Sequence, residues 1–238
     1  MVSVDDNELL SSLVADVAAT ADVLVAVPDA PVVHCPGWAV SDLVRHHAKV
    51  LRWAEAIVRS GEVVLGEFPA PTECDDLRDW HVDAADCFVS TASGLDRERR
   101  CWTFGRPPEQ TWFWTRRQAL EAAVHRWDAE RATGTTPEIA SELALVGVTE
   151  VVEDLFPRQV ALERVSDLSC AVQLRATDAD QRWVLTPART GAIDATIEAP
   201  VAELFLLLWG RTDLDDPRIH FIGPRAIEDE MRAARFAP

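Results

Sequence analysis

Glu121 and His125 stand four residues apart in a segment whose surroundings read as helix. At that spacing a carboxylate and an imidazole leave one helical face about one turn apart and can share a divalent metal ion. The same spacing also suits solvated charges, or a pairing of Glu121 with Arg117 or Arg126, which is the commoner fate of charges on a helix. His46 and His47 lie in the middle of another helical stretch. Adjacent residues on a helix point about 100° apart, so only one of the two faces a bundle axis comfortably. His46, three residues after Leu43, lies on the apolar side. A histidine so placed is usually a satisfied core residue. Facing a Glu and a second His across a bundle, it completes a three-ligand site with an open position, the catalytic form of a zinc site. His34, His81 and His220 have no comparable partners and read as surface or loop residues. Cys35 reads as a small buried hydrophobe with no catalytic role. Trp112, Trp114 and Trp127 flank the Glu121–His125 turn, where core packing is their first expected use and a pocket wall the second.

Positioning these residues needs helices. Apolar residues recur at helical spacing from Asp6 to Val27 until Pro28 and Pro31 interrupt them, and again over Ser41 to Arg59, ending near Gly61. Further helical stretches run over Asp75 to Leu95, from Pro107-Pro108 to about Thr133, and from Pro137 to about Leu155. Beyond Phe156 the pattern shifts to the short runs LSCAVQLRA, QRWVLTP and IDATIEA, with turns around Asp178 to Asp180 and at Gly191. An apolar helix follows from Ala199 to Trp209, and a charged surface helix from Ala226 to Phe236. The expected fold is a helical bundle over residues 1–156 followed by a smaller α+β domain over 157–238.

The net charge of -17 disfavours nucleic acid or an anionic membrane surface as a partner, since phosphate binding needs clustered Lys and Arg. Lys49 is the sole lysine. The five cysteines are scattered, with no C-x-x-C pair, so neither a disulfide framework nor a cysteine zinc site follows. No basic leader precedes an apolar stretch at the N-terminus, and the run Leu204 to Trp209 is too short to span a bilayer, which points to the cytoplasm. No heptad or large apolar stripe calls for a strong assembly, so a monomer or dimer is expected.

Three segments carry a resemblance: CPGWAVSDLVRH, EAAVHRWDAERATG and APVAELFLLLWGR. Together they resemble the mycothiol-dependent maleylpyruvate isomerase family over nearly the whole chain. The resemblance implies a DinB-like four-helix bundle and a C-terminal domain similar to sterol-carrier-like folds. It implies a divalent metal, usually zinc, on His46, Glu121 and His125, and mycothiol as the thiol cofactor. It also gives Arg211 a matching position, where a guanidinium suits a substrate carboxylate or closes the helix ending at residue 209. The implied activity is cis-trans isomerisation by reversible thiol addition to an activated double bond. The alternatives are a mycothiol S-transferase, a hydrolase acting through metal-bound water, and a non-catalytic metal-binding or regulatory protein. The family often has a hydroxyl residue where this chain has Ala39, so the next helix must be capped by Ser41 or Asp42, or left without a cap.

Overall fold

The computed structural model describes residues 4–185 and 192–237, with the backbone alone at 74 and 75. The chain divides into two compact units, one running to Ile139 and the other starting at Ala140.

The first unit is the bundle: α1 (Asp6–Ala26), α2 (Val40–Ser60), α3 (Cys74–Ser93) and α4 (Trp112–Ala132). Helices α1 and α2 each make their main contacts with α3 and α4, so the order around the bundle is α1, α3, α2, α4. By length and composition α1 could cross a membrane, but Leu9, Leu10, Leu13, Val17, Ala21 and Leu24 are buried. The start of α2 uses Asp42, whose carboxylate accepts the Ala39 N–H at 3.1 Å, so an acid in the first turn replaces the hydroxyl cap. Its end uses Gly61 at φ +80°, with the glycine N–H donated to Ile57 O at 2.7 Å.

Helix α4 is enclosed on nearly every side, yet it buries Arg116, Arg117, Gln118, His125 and Asp128. An enclosed helix is normally apolar, and buried charges persist only with partners. At one end of the bundle Trp53, Trp102 and Trp114 pack together, with the Trp53 and Trp114 ring centroids 5.1 Å apart, and Trp114 Nε1–H donates to Trp102 O at 2.7 Å. Trp114 is thus a core residue. Trp112 is half-buried under the Arg116 guanidinium, 4.7 Å from its ring.

The second unit holds α5 (Ser141–Glu150), a π-helical turn at Val151–Leu155, α6 (Phe156–Ala161), β1 (Val172–Ala176), β2 (Arg182–Leu185), β3 (Ala195–Ala199), α7 (Val201–Leu208), β4 (His220–Ile222) and α8 (Arg225–Ala233). The sheet order is β2-β1-β3-β4, with β1 and β3 parallel and both outer pairs antiparallel. Val172, Leu174 and Ala176 alternate with partly exposed neighbours, and pair in register with Ala195, Ile197 and Ala199 on one buried face. The π-helical turn precedes Pro157, which has no N–H to continue an α-helical ladder.

One expectation needs correcting. The helix expected to close the bundle belongs to the second unit, so the division falls at 139/140 and not at 156/157. The reason is the packing of α5 on α7, where a Cβ on Gly147 would lie 2.3 Å from Phe205 Cε2. The expected strand QRWVLTP is seen as far as Leu185, and its last two residues and the turn at Gly191 lie outside the described residues.

Candidate metal centre

The buried stripe of α2 runs Val40, Leu43, Val44, His47, Ala48, Leu51, Ala54. His47 is three residues after Val44 and four after Leu43, in the middle of that stripe, and it is fully buried. His46 sits on the stripe's edge with 40% of its side chain exposed, so the two histidines take the opposite burial from that expected. The edge position suits a ligand in reach of both the bundle and solvent. The Trp38 ring of the CPGW segment lies against it, with centroids 5.0 Å apart.

Across from His46, α4 presents Glu121 and His125 on one face. His125 Nε2 is 3.1 Å and His46 Nε2 is 3.8 Å from Glu121 Oε1. The three ligand atoms all lie within 4.8 Å of one another. Tetrahedral zinc with bonds near 2 Å places its ligand atoms roughly 3.3 Å apart, so a contraction of at most about 1.5 Å at the widest pair closes the set. Glu121 Oε2 is taken by the Arg117 guanidinium, which leaves Oε1 for the other partners. The pairing with Arg117 and the facing of the two histidines are therefore both realised, one by each carboxylate oxygen. His125 Nδ1 is 3.7 Å from Asp128 Oδ2, one turn further along α4. A carboxylate behind a ligating imidazole fixes its tautomer and raises its basicity. The donor set and its carboxylate support fit a divalent metal.

Charge follows the same geometry. Burial acts to raise the Glu121 carboxyl, but the Arg117 guanidinium and hydrogen bonds from His125 and His46 outweigh it and hold the group well below the carboxylate range. Burial acts to lower His125, and Asp128 and Glu121 together reverse this, pushing it up to about 9. Without metal, His125 is an imidazolium whose proton occupies the place of the cation.

His81, expected at the surface, is fully buried. It lies in α3 between Leu77 and Ala84, and its Nε2 is 3.0 Å from His47 Nδ1. The outer nitrogens, His47 Nε2 and His81 Nδ1, are buried without a hydrogen-bond partner. Burial, with the neighbouring imidazoles, holds both histidines neutral: His81 is lowered to about 4 and His47 well below its ordinary value. The His47 ring lies 5.3 Å from that of His125, so the pair forms a neutral wall beside the ligands. Its signal in the sequence was the helical step from Leu77 to His81, which an aromatic neighbour, Trp80, obscured. Asp128 was passed over, although its place one turn beyond His125 was the signal that could have found it.

His34 lies 5.4 Å from the Trp127 ring in the loop before α2, and His220 is exposed on β4. The half-buried Cys35 has its Sγ 4.0 Å from Asp128 Oδ2. Arg211 stands after α7 in the second unit, where its Nη1 donates to Trp209 O at 2.7 Å and its guanidinium carbon lies 5.8 Å from the Trp209 ring centre.

Comparisons with known proteins agree with this architecture. The chain matches the mycothiol maleylpyruvate isomerase N-terminal domain over residues 10–130 and the C-terminal domain of the same family over 142–228. No curated protein sequence matches it. The crystal structure of a mycothiol-dependent maleylpyruvate isomerase superposes with a TM-score of 0.67 at 13% identity, covering 99% of this chain and 97% of that one. A histidine-to-alanine mutant of such an isomerase gives 0.66 at 13% identity with the same coverage. Low identity limits the superposition to the fold, but the family matches take in most of both units, and the chain belongs to the mycothiol maleylpyruvate isomerase family of enzymes.

Proposed function

We propose that this protein is a metal-dependent, mycothiol-using isomerase that acts on maleylpyruvate or a similar unsaturated dicarboxylic acid. The observation that carries the reading is the meeting of His46, Glu121 and His125 on two facing helices, with one edge open at the half-exposed His46. A divalent cation, zinc by default, would supply a Lewis acid with an open position that favours the thiolate form of a thiol near neutral pH. Mycothiol would supply a thiolate that adds reversibly to the conjugated double bond, leaving a rotatable single bond before it is expelled. The chain's own residues hold and orient. Arg117 neutralises one Glu121 oxygen and so directs the other to the site. Asp128 orients His125. The neutral His47–His81 pair excludes charge from the wall behind the ligands.

For Arg211 we propose contact with a substrate carboxylate through its planar fork, supported by its match to the family position. The cytoplasm, a small-molecule substrate and a low-molecular-weight thiol complete the proposal, in keeping with the net charge of -17.

The test is metal content and turnover, wild type beside His125→Ala. About one equivalent of metal lost in the variant, with turnover of maleylpyruvate only when mycothiol is added, is the expected result. A metal-free wild type overturns the metal reading. Consumption of mycothiol in place of its return identifies a transferase. Arg211→Met is expected to raise KM without changing metal content.

A further inference from the structure

A cleft of about 420 Å³ lies in the first unit, lined by Lys49, Val50, Trp53, Gly66, Glu67, Phe68 and Pro69. Its position follows from helix geometry. His46, Lys49, Val50 and Trp53 are spaced i, i+3, i+4, i+7 on α2, so they form one ridge. At about 1.5 Å of rise per residue, Lys49 begins roughly 5 Å along the helix from His46, and Trp53 lies roughly 10 Å along. The facing helix runs the other way, since His46 meets Glu121 while Trp53 meets Trp114. The seam between α2 and α4 therefore leads from the metal ligands to the cleft. Its outer wall, the segment after α2, is tied down by Trp53 Nε1–H donating to Val64 O at 3.0 Å and by Trp102 N–H donating to Gly61 O at 2.9 Å.

The lining is chemically specific. Trp53 and Phe68 are half-buried aromatic faces, while Lys49 and Glu67 are exposed. Among the described residues Lys49, the sole lysine in the chain, makes no hydrogen bond or ion pair. A flat aromatic wall accepts the C–H face of a saturated ring, an ammonium offers three donors, and a carboxylate offers acceptors only. Glu67 and the charge of -17 disfavour a polyanion, and a wholly apolar ligand would make no use of Lys49 and Glu67. What satisfies all four side chains is a neutral or weakly cationic polyhydroxylated ring. The volume falls within the roughly 300–1,000 Å³ of small-ligand sites.

We propose that this cleft binds the sugar end of the thiol cofactor. This rests on the proposed function, because mycothiol is a cysteine joined through an amide to an aminosugar–cyclitol pair. One amino-acid unit with its amide spans roughly 4–6 Å, close to the one-turn step from His46 to Lys49. A thiol at the metal ligands thus brings the ring to the cleft, with hydroxyls on Lys49 and Glu67 and its apolar face on Trp53 or Phe68.

The probe is the aminosugar–cyclitol fragment alone, which has no thiol, followed by calorimetry and tryptophan fluorescence. Wild type is expected to bind it, Lys49→Met and Glu67→Gln each at least fivefold more weakly, with metal content unchanged in both. Metal-free His125→Ala is expected to retain wild-type affinity for the fragment. No binding to wild type, or wild-type affinity in both cleft variants, overturns the proposal even where mycothiol-dependent turnover is intact. Cleft-dependent binding without any turnover upholds the cleft as a sugar site and refutes only the isomerase reading.

Discussion

The His47–His81 pair makes a stability prediction with two signatures. In metal-free protein, His81→Leu removes the 3.0 Å partner of His47 Nδ1 while His47 Nε2 already has none. A buried polar group left unsatisfied costs roughly 1–3 kcal/mol, partly offset here because leucine needs no partner. The double variant His47→Leu/His81→Leu removes the orphan as well and is expected to be at least as stable as the single variant, with a coupling of about 1–3 kcal/mol. The second signature is in pH. His81 ordinarily titrates at 6.5 and is held at about 4 in the folded state. Between these values the unfolded chain binds a proton that the folded one refuses, so stability falls as pH drops from 6.5 towards 4. By pH 5 His81 alone accounts for about 2 kcal/mol, and His47 adds in the same direction. Urea unfolding at pH 7 and pH 5 in chelator, read by tryptophan fluorescence, gives both signatures. Parallel losses for wild type and the double variant, or a single variant more stable than the double, would refute the reasoning.

Three further outcomes follow from other residues. Asp128→Asn leaves His125 Nδ1 facing an amide, and metal affinity measured by chelator competition is expected to drop about tenfold to a hundredfold at unchanged stoichiometry. Because His125 in metal-free protein titrates at about 9, the metal must displace a proton below that pH. Apparent affinity should climb by up to about tenfold per unit from pH 7 to 9 and then level off, and a flat profile contradicts an imidazolium there. Gly147→Ala should gain up to about 1 kcal/mol on helix propensity, yet its Cβ would sit 2.3 Å from the Phe205 ring, and overpacking of about 1–3 kcal/mol wins. A lowered melting temperature, partly restored by adding Phe205→Leu, is the expected result.

The cluster of His46, Glu121 and His125 was legible because a four-residue step puts Glu121 and His125 on one helical face wherever the helix sits. Burial was less legible. His46 and His47 differ by one position, and the choice between them turned on whether Leu43 alone or the Leu43–Val44 pair centres the α2 stripe. His81 was misplaced because Trp80, the more apolar residue, also stands at a helical step from Leu77 and Ala84, whereas Trp80 is only partly buried and the histidine lies inside. The unit boundary was hidden because periodicity reveals a helix and not its partner, and α5 declares its unit through the Gly147–Phe205 approach.

Charge along α4 links stability to chemistry. Arg117, Glu121, His125 and Asp128 form one stripe at steps of four, four and three, mostly buried. Without metal the stripe balances, two cations against two anions, because His125 keeps its proton. That balance lets such groups sit inside a bundle, where an unpaired charge is costly. A dication in place of the proton would leave the stripe with one net positive charge and so would favour a monoanion beside it. A thiolate would cancel that charge, as would hydroxide, whereas a neutral thiol would not. On the proposed metal reading, the balance that keeps α4 stable in the core would also favour the deprotonated form of a ligand bound there, and Arg117, which pairs with Glu121, would help to set it.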